Sequence, residues 1–113
     1  TYGTYMSPDG KAEFLQGDVD GIDIRTTGEW TSPATGAEYP SGWTMEIESL
    51  VMGLVLNPVA ENQEVQGGLP AASTYWEGKV TVEGTQNGVP TSGDAYVELS
   101  GYVDPEPVEW IHR

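Results

Sequence analysis

Two segments on either side of an Asn87-Gly88 pair constrain this chain more than any other feature. The first runs Thr74-Tyr75-Trp76-Glu77-Gly78-Lys79-Val80-Thr81-Val82-Glu83-Gly84, the second Gly93-Asp94-Ala95-Tyr96-Val97-Glu98-Leu99-Ser100-Gly101-Tyr102. Both alternate with period two, which sends successive side chains to opposite faces of a sheet. Asn-Gly supplies the positive φ that a tight hairpin turn demands. One face of the first strand then carries Tyr75, Glu77, Lys79, Thr81 and Glu83, and the other Trp76, Gly78, Val80, Val82 and Gly84. The second strand splits into Tyr96, Glu98, Ser100 and Tyr102 against Ala95, Val97, Leu99, Gly101 and Val103. The polar-aromatic face is either a solvated surface or the wall of a ligand cavity.

The rest of the chain follows the same pattern. Tyr2 to Met6 and Ala12 to Gln16 flank Pro8-Asp9-Gly10, a turn in which Pro presets φ and Gly accepts its positive value. Ile22, Ile24, Thr26, Gly28 and Trp30 alternate with polar residues and predict one long strand. A loop from Ser32 to Gly42 follows, then a strand from Trp43 to Glu48, a short one from Met52 to Asn57, and a further one at Asn62 to Val65. No window keeps apolar residues at helical spacing. Seven or eight strands with short turns in 113 residues predict a single all-β domain, an antiparallel barrel or sandwich over residues 1–103. The tail, residues 104–113, carries Pro105 and Pro107 and is expected to leave the sheet.

Charge narrows the class of partner. Eighteen Asp and Glu against four Lys and Arg leave a formal net charge of -14, which argues against nucleic acid and anionic membranes. Such a balance suits a secreted or periplasmic protein without proving one. The longest apolar stretch, Leu50 to Leu56, is too short to span a bilayer and contains Gly53. With no Cys and a lone His112 near the end, thiolate chemistry, histidine triads and multi-histidine metal sites are excluded within this chain. Asp18-Val19-Asp20-Gly21-Ile22-Asp23 hints at a calcium loop but lacks the terminal Glu and helical flanks, so an acidic turn is the better reading.

An eight-stranded barrel can hold one small ligand or fill itself with side chains. Trp30, Trp43 and Trp76 therefore read first as core, and second as ligand contacts. Glu64, Glu77 and Glu98 are the titratable groups of most interest. A carboxyl enclosed among aromatics would ionise less readily and could protonate a double bond, whereas a solvated one, or one paired with Arg25 or Lys79, could not.

The run from Trp30 through Ser32-Pro33-Ala34-Thr35-Gly36 to Trp43, together with Asn62-Gln63-Glu64, Tyr75-Trp76-Glu77-Gly78 and Tyr96-Val97-Glu98-Leu99-Ser100-Gly101-Tyr102, resembles one known family. It is the lipocalin-like family of carotenoid 1,2-hydratases (hydroxyneurosporene synthases) and bacterial secreted hydrolases, and the likeness is to its second barrel. Fungal lipocalin-like hydratases and Diels–Alder cyclases are similar at greater distance. The resemblance implies a lipocalin-like barrel of about eight strands with an upstream barrel in the same parent chain. It also implies a hydrophobic small-molecule ligand of terpenoid or polyketide type, and hydratase, isomerase or cyclase chemistry without a cofactor. Carried over by motif, Glu77 and Glu98 become the candidate catalytic acids. Trp30, Tyr39, Trp43, Glu64, Tyr75, Trp76, Tyr96 and Tyr102 become the candidate ligand-binding residues. Two other functions compete: a non-catalytic structural module, and a carbohydrate-binding face of exposed aromatics. The tail beyond Tyr102 and the lack of an internal His depart from the family pattern.

Overall fold

The computed structural model describes residues 1–67 and 73–103. Its main element is a curled antiparallel sheet, half of a barrel, built from β3 (Ile22–Thr26), β6 (Trp43–Ile47), β7 (Met52–Pro58), β8 (Glu64–Val65), β9 (Tyr75–Gln86) and β10 (Val89–Leu99). The order is β10-β9-β7-β6-β3, with β8 continuing along the β9 edge where β7 stops. Two hairpins stand apart from it in pairing: β1 (Tyr2–Met6) with β2 (Ala12–Gln16), and β4 (Glu29–Thr31) with β5 (Glu38–Pro40). The fold is lipocalin-like and antiparallel, as expected. The about eight strands of one wall become, among the described residues, a six-stranded half-barrel plus two hairpins.

The turn chemistry places the strands. Asn87 and Gly88 both adopt positive φ, 52° and 77°, the left-handed pair that matches the twist of β9 and β10. Tyr96 faces Lys79, and Glu98 faces Glu77. Along β9 the burial alternates: Trp76, Gly78 and Val80 are buried, and Lys79, Thr81 and Glu83 are exposed. Period two thus delivers one apolar inner face and one acidic outer face. At Gly84 the strands approach so closely that a Cβ would collide with the carbonyl oxygen of Gly53 on β7.

Three details depart from the sequence reading. The long strand expected from Ile22 to Trp30 is interrupted at Thr27 and Gly28, yet its register against β6 and β5 is unbroken, because Thr27 donates its N–H to the Gly42 carbonyl and Gly28 accepts that of Ser41 in the same ladder. The expected loop Ser32 to Gly42 contains β5. Residues Gly17–Asp20 form one helical turn, α1, whose Asp20 carboxylate accepts the Gln16 N–H, and Glu48–Leu50 form a 3₁₀ turn. Among the described residues no cluster of His, Cys, Asp or Glu could hold a metal ion, and no helix is long and apolar enough to cross a membrane. The expected tail, residues 104–113, lies outside the described residues.

The core sits at one end of the sheet. Tyr39 and Ala37 from the β4–β5 hairpin close over Trp43, Leu56, Trp76 and Val80. At the other end Ile47 is buried, and the β1–β2 hairpin, whose Leu15 is 3% exposed, reaches the sheet where Gln86 Nε2 donates to Tyr5 OH at 3.1 Å. There Ile22, Met45, Met52, Leu54 and Val82 stay half-buried and Ile24 is 46% exposed.

Candidate functional site

The polar centre of the molecule is the Glu64 carboxylate. Glu64 pairs directly with Trp76 across β8 and β9, so the two side chains share the inner face. From there the carboxylate reaches the β4–β5 hairpin. Ser32 Oγ donates to Oε1 at 2.6 Å, and Thr35 Oγ1 and Tyr39 OH donate to Oε2 at 2.8 and 2.7 Å. Gln66 adds a further side-chain hydrogen bond.

The direction of these bonds is forced. Ser32 Oγ already accepts the N–H groups of Ala34 and Thr35, both at 3.2 Å, and Thr35 Oγ1 accepts that of Ala37 at 3.2 Å. Each hydroxyl has one proton, and the amides occupy its acceptor side, so that proton goes to Glu64. The Tyr39 phenol is fully buried. Burial, the hydrogen bond to Glu64 and the nearby carboxylate charge all push its ionisation well above the usual range, so it stays a neutral donor. Burial also works against charge on Glu64, but the hydrogen bonds from Ser32, Tyr39, Thr35 and Gln66 outweigh it and hold the carboxyl below its ordinary value. No cation takes part: the ion pairs among the described residues are Lys11–Asp9, Arg25–Asp23 and Lys79–Asp94, all on the exposed surface.

Aromatic rings surround this carboxylate. Trp30 stacks on Tyr39 with ring centroids 6.0 Å apart, Tyr102 tilts against Tyr39 at 5.6 Å, and Trp43 meets Trp76 edge-on at 6.2 Å. Trp76 donates its indole N–H to the Glu61 carbonyl at 2.8 Å. A small, mostly polar pocket opens beside Tyr102, lined by Thr35, Gly36, Ala37, Glu38 and Val103. The chain belongs to the AttH-like family. Its family model matches residues 1–102, nearly the whole chain. Among solved structures, an AttH candidate of Nitrosomonas europaea is 28% identical with a TM-score of 0.73, over 90% of this chain and 30% of its own. Kievitone hydratase of Nectria haematococca is 22% identical with a TM-score of 0.72, over 88% of this chain and 29% of its own. The chain therefore spans less than a third of either. No curated protein matches it.

Within this AttH-like domain the expected site residues separate into two groups. Trp30, Tyr39, Trp43, Glu64, Trp76 and Tyr102 come together around the carboxylate and the adjoining core. Tyr75, Glu77, Tyr96 and Glu98 lie on the outer face of β9 and β10, with Glu77 directly opposite Glu98 and Tyr96 70% exposed. The pairing of Arg25 or Lys79 with a Glu gives way to pairs with Asp. Sequence reasoning missed Ser32, Thr35 and Gln66 as partners of Glu64. The available signal was the Ser32-Pro33-Ala34-Thr35-Gly36 loop, whose Ser and Thr fold back on their own backbone.

Proposed function

We propose that this AttH-like domain binds an apolar small molecule on the half-covered stretch of its inner sheet face, as the barrel unit of a cofactor-independent hydratase-type protein. The observation that carries this reading is the half-covered row Ile24, Met45, Leu54 and Val82, continuous with a core that the β4–β5 hairpin seals at the other end. An apolar face left to water costs roughly 25 cal/mol per Å², and a terpenoid or polyketide scaffold would recover that area. The likeness of the fold to kievitone hydratase supports the class of reaction, and carotenoid-type alkene hydration belongs to the same proposal.

The Glu64 cluster then supplies shape rather than a proton. Hydrating an alkene begins with protonation, and a carboxylate that already accepts its neighbours' protons is a poor donor. Its work is to hold Tyr39 and the rings stacked on it as the sealed end of the inner face, beside the stretch that takes the ligand. Glu77 and Glu98, on the other face of the sheet, would have to meet a ligand there to act as acids. A carbohydrate platform on that outer face is disfavoured: Tyr96 stands opposite Lys79, four residues along β9 from Tyr75, roughly 13 Å and too far to stack one sugar ring.

Tryptophan fluorescence titrated with all-trans-retinol tests the reading. Saturable quenching is expected, weakened at least tenfold by Leu54→Glu and unchanged by Glu77→Gln or Glu98→Gln. Quenching lost in the two outer-face variants but kept in Leu54→Glu would refute it. A second reading draws on the length of the solved relatives. With this chain covering 30% and 29% of them, the same apolar face would also suit packing against a further part of a longer protein. In that case no quenching is expected.

A further inference from the structure

Between the end of β7 at Pro58 and the start of β8 at Glu64 the chain swings away from β9. Five residues, 59–63, stand opposite three, 77–79. A bulge of this size interrupts the backbone ladder along that edge of β9 once the Val59 N–H has donated to the Lys79 carbonyl at 3.1 Å. The Gln63 side chain restores it. Its Oε1 accepts the Lys79 N–H at 3.0 Å, and its Nε2 donates to the Lys79 carbonyl at 3.2 Å and the Ala60 carbonyl at 2.8 Å. The backbone of the same residue contributes too: its carbonyl accepts the Glu77 N–H at 3.2 Å, and its N–H reaches the Glu61 carbonyl at 3.1 Å. One residue thus presents two amide groups to the edge, its own peptide and a side-chain copy.

The side-chain amide needs room, and Gly78 provides it. A Cβ at that position would collide with the Gln63 amide carbon, oxygen and nitrogen together. Few side chains can replace Gln here. Asn is one methylene shorter, Glu accepts but does not donate when ionised, and Met has the length with neither function.

We propose that Gln63, seated on Gly78, is the positioning residue of the site: it returns the chain to β9 in register, so that the next residue aims its carboxylate at Ser32, Thr35 and Tyr39. The inference rests on the reading of the Glu64 cluster as the sealed end beside the ligand face, but its first readout needs no ligand. In the full 113-residue chain with ¹³C-labelled glutamate, the Glu64 side-chain carboxyl is titrated by NMR. Gln63→Met and Gly78→Ala are each expected to move its midpoint upward, toward the ordinary carboxyl value. The double variant should move it no further than the larger single effect, since both changes break one contact. Gln63→Asn, which keeps a neutral amide one methylene too short to reach Lys79, is expected to give a smaller upward shift and serves where Gln63→Met folds poorly. An unchanged midpoint in Gln63→Met and Gln63→Asn, or additive shifts in the double variant, would overturn the proposal. Retinol binding is measured in parallel and should weaken in Gln63→Met. A parent protein that binds no retinol sinks the ligand reading, while the titration still decides the positioning role.

Discussion

Glu64→Leu is expected to destabilise the domain by roughly 2–5 kcal/mol, because it orphans several hydroxyl donors at once. Ser32 is 2% exposed and Tyr39 fully buried, so neither can turn to water for an acceptor. Ser32 Oγ is also committed on its acceptor side to the amides of Ala34 and Thr35. Glu64→Gln is no conservative change here. Its single carbonyl oxygen would serve part of the set, and its NH₂ would confront the remaining O–H groups donor to donor. A loss of roughly 1–3 kcal/mol is expected for it. Urea unfolding followed by tryptophan fluorescence measures both.

The same carboxylate sets a pH dependence whose sign follows from its depressed ionisation. A carboxyl whose folded value lies below its unfolded value stabilises the fold fully above the unfolded value, and loses that contribution as pH falls through the folded one. The gap in stability between the parent protein and Glu64→Leu should therefore be widest at neutral pH. It should narrow as pH drops below the ordinary carboxyl range. A gap that is constant across that window would show that the hydroxyls do not act through the charged form.

Trp76→Ala is expected to cost about 3–5 kcal/mol, the usual range for emptying a fully buried aromatic site. Trp76 is 1% exposed, meets Trp43 edge-on, and anchors the segment before β8 through its bond to the Glu61 carbonyl. Because it pairs with Glu64 across the strands, the cavity would also undercut the carboxylate. Trp76→Phe refills most of the volume but leaves the Glu61 carbonyl without its donor, and a loss of about 1–2 kcal/mol is expected. The order of the two variants in denaturant midpoint is the check: alanine well below phenylalanine, phenylalanine below the parent.

Much of the fold was legible because its signals are local. The Asn87-Gly88 turn, the Pro8-Asp9-Gly10 turn and the alternation along β9 each act within a few residues, and each is found where the sequence puts it. Alternation names a face and never a partner, so Ile22 to Trp30 reads as one strand in one register while its partners stay unnamed. Its two halves pair with β6 and β5 respectively, and Gly28 makes the close approach to Ser41 at the junction. The Glu64 cluster was less legible for a related reason. Its donors lie 25 to 32 residues upstream, and hydroxyl residues in a Pro-Gly loop look like any turn until the hairpin folds over β8. Gln63 was visible only as part of a motif. Its role depends on a two-residue mismatch between edges that no local pattern records.

Which face of the sheet meets the ligand is tested directly by methyl NMR of the isoleucine, leucine, valine and methionine side chains during a retinol titration. Ile24, Met45, Leu54 and Val82 line the half-covered inner face, whereas Val55 and Val65 are exposed on the outer one. Saturable shifts at the first four, with Val55 and Val65 unmoved, are the predicted result. Shifts confined to Val55 and Val65, or no shift anywhere at saturating retinol, would contradict it.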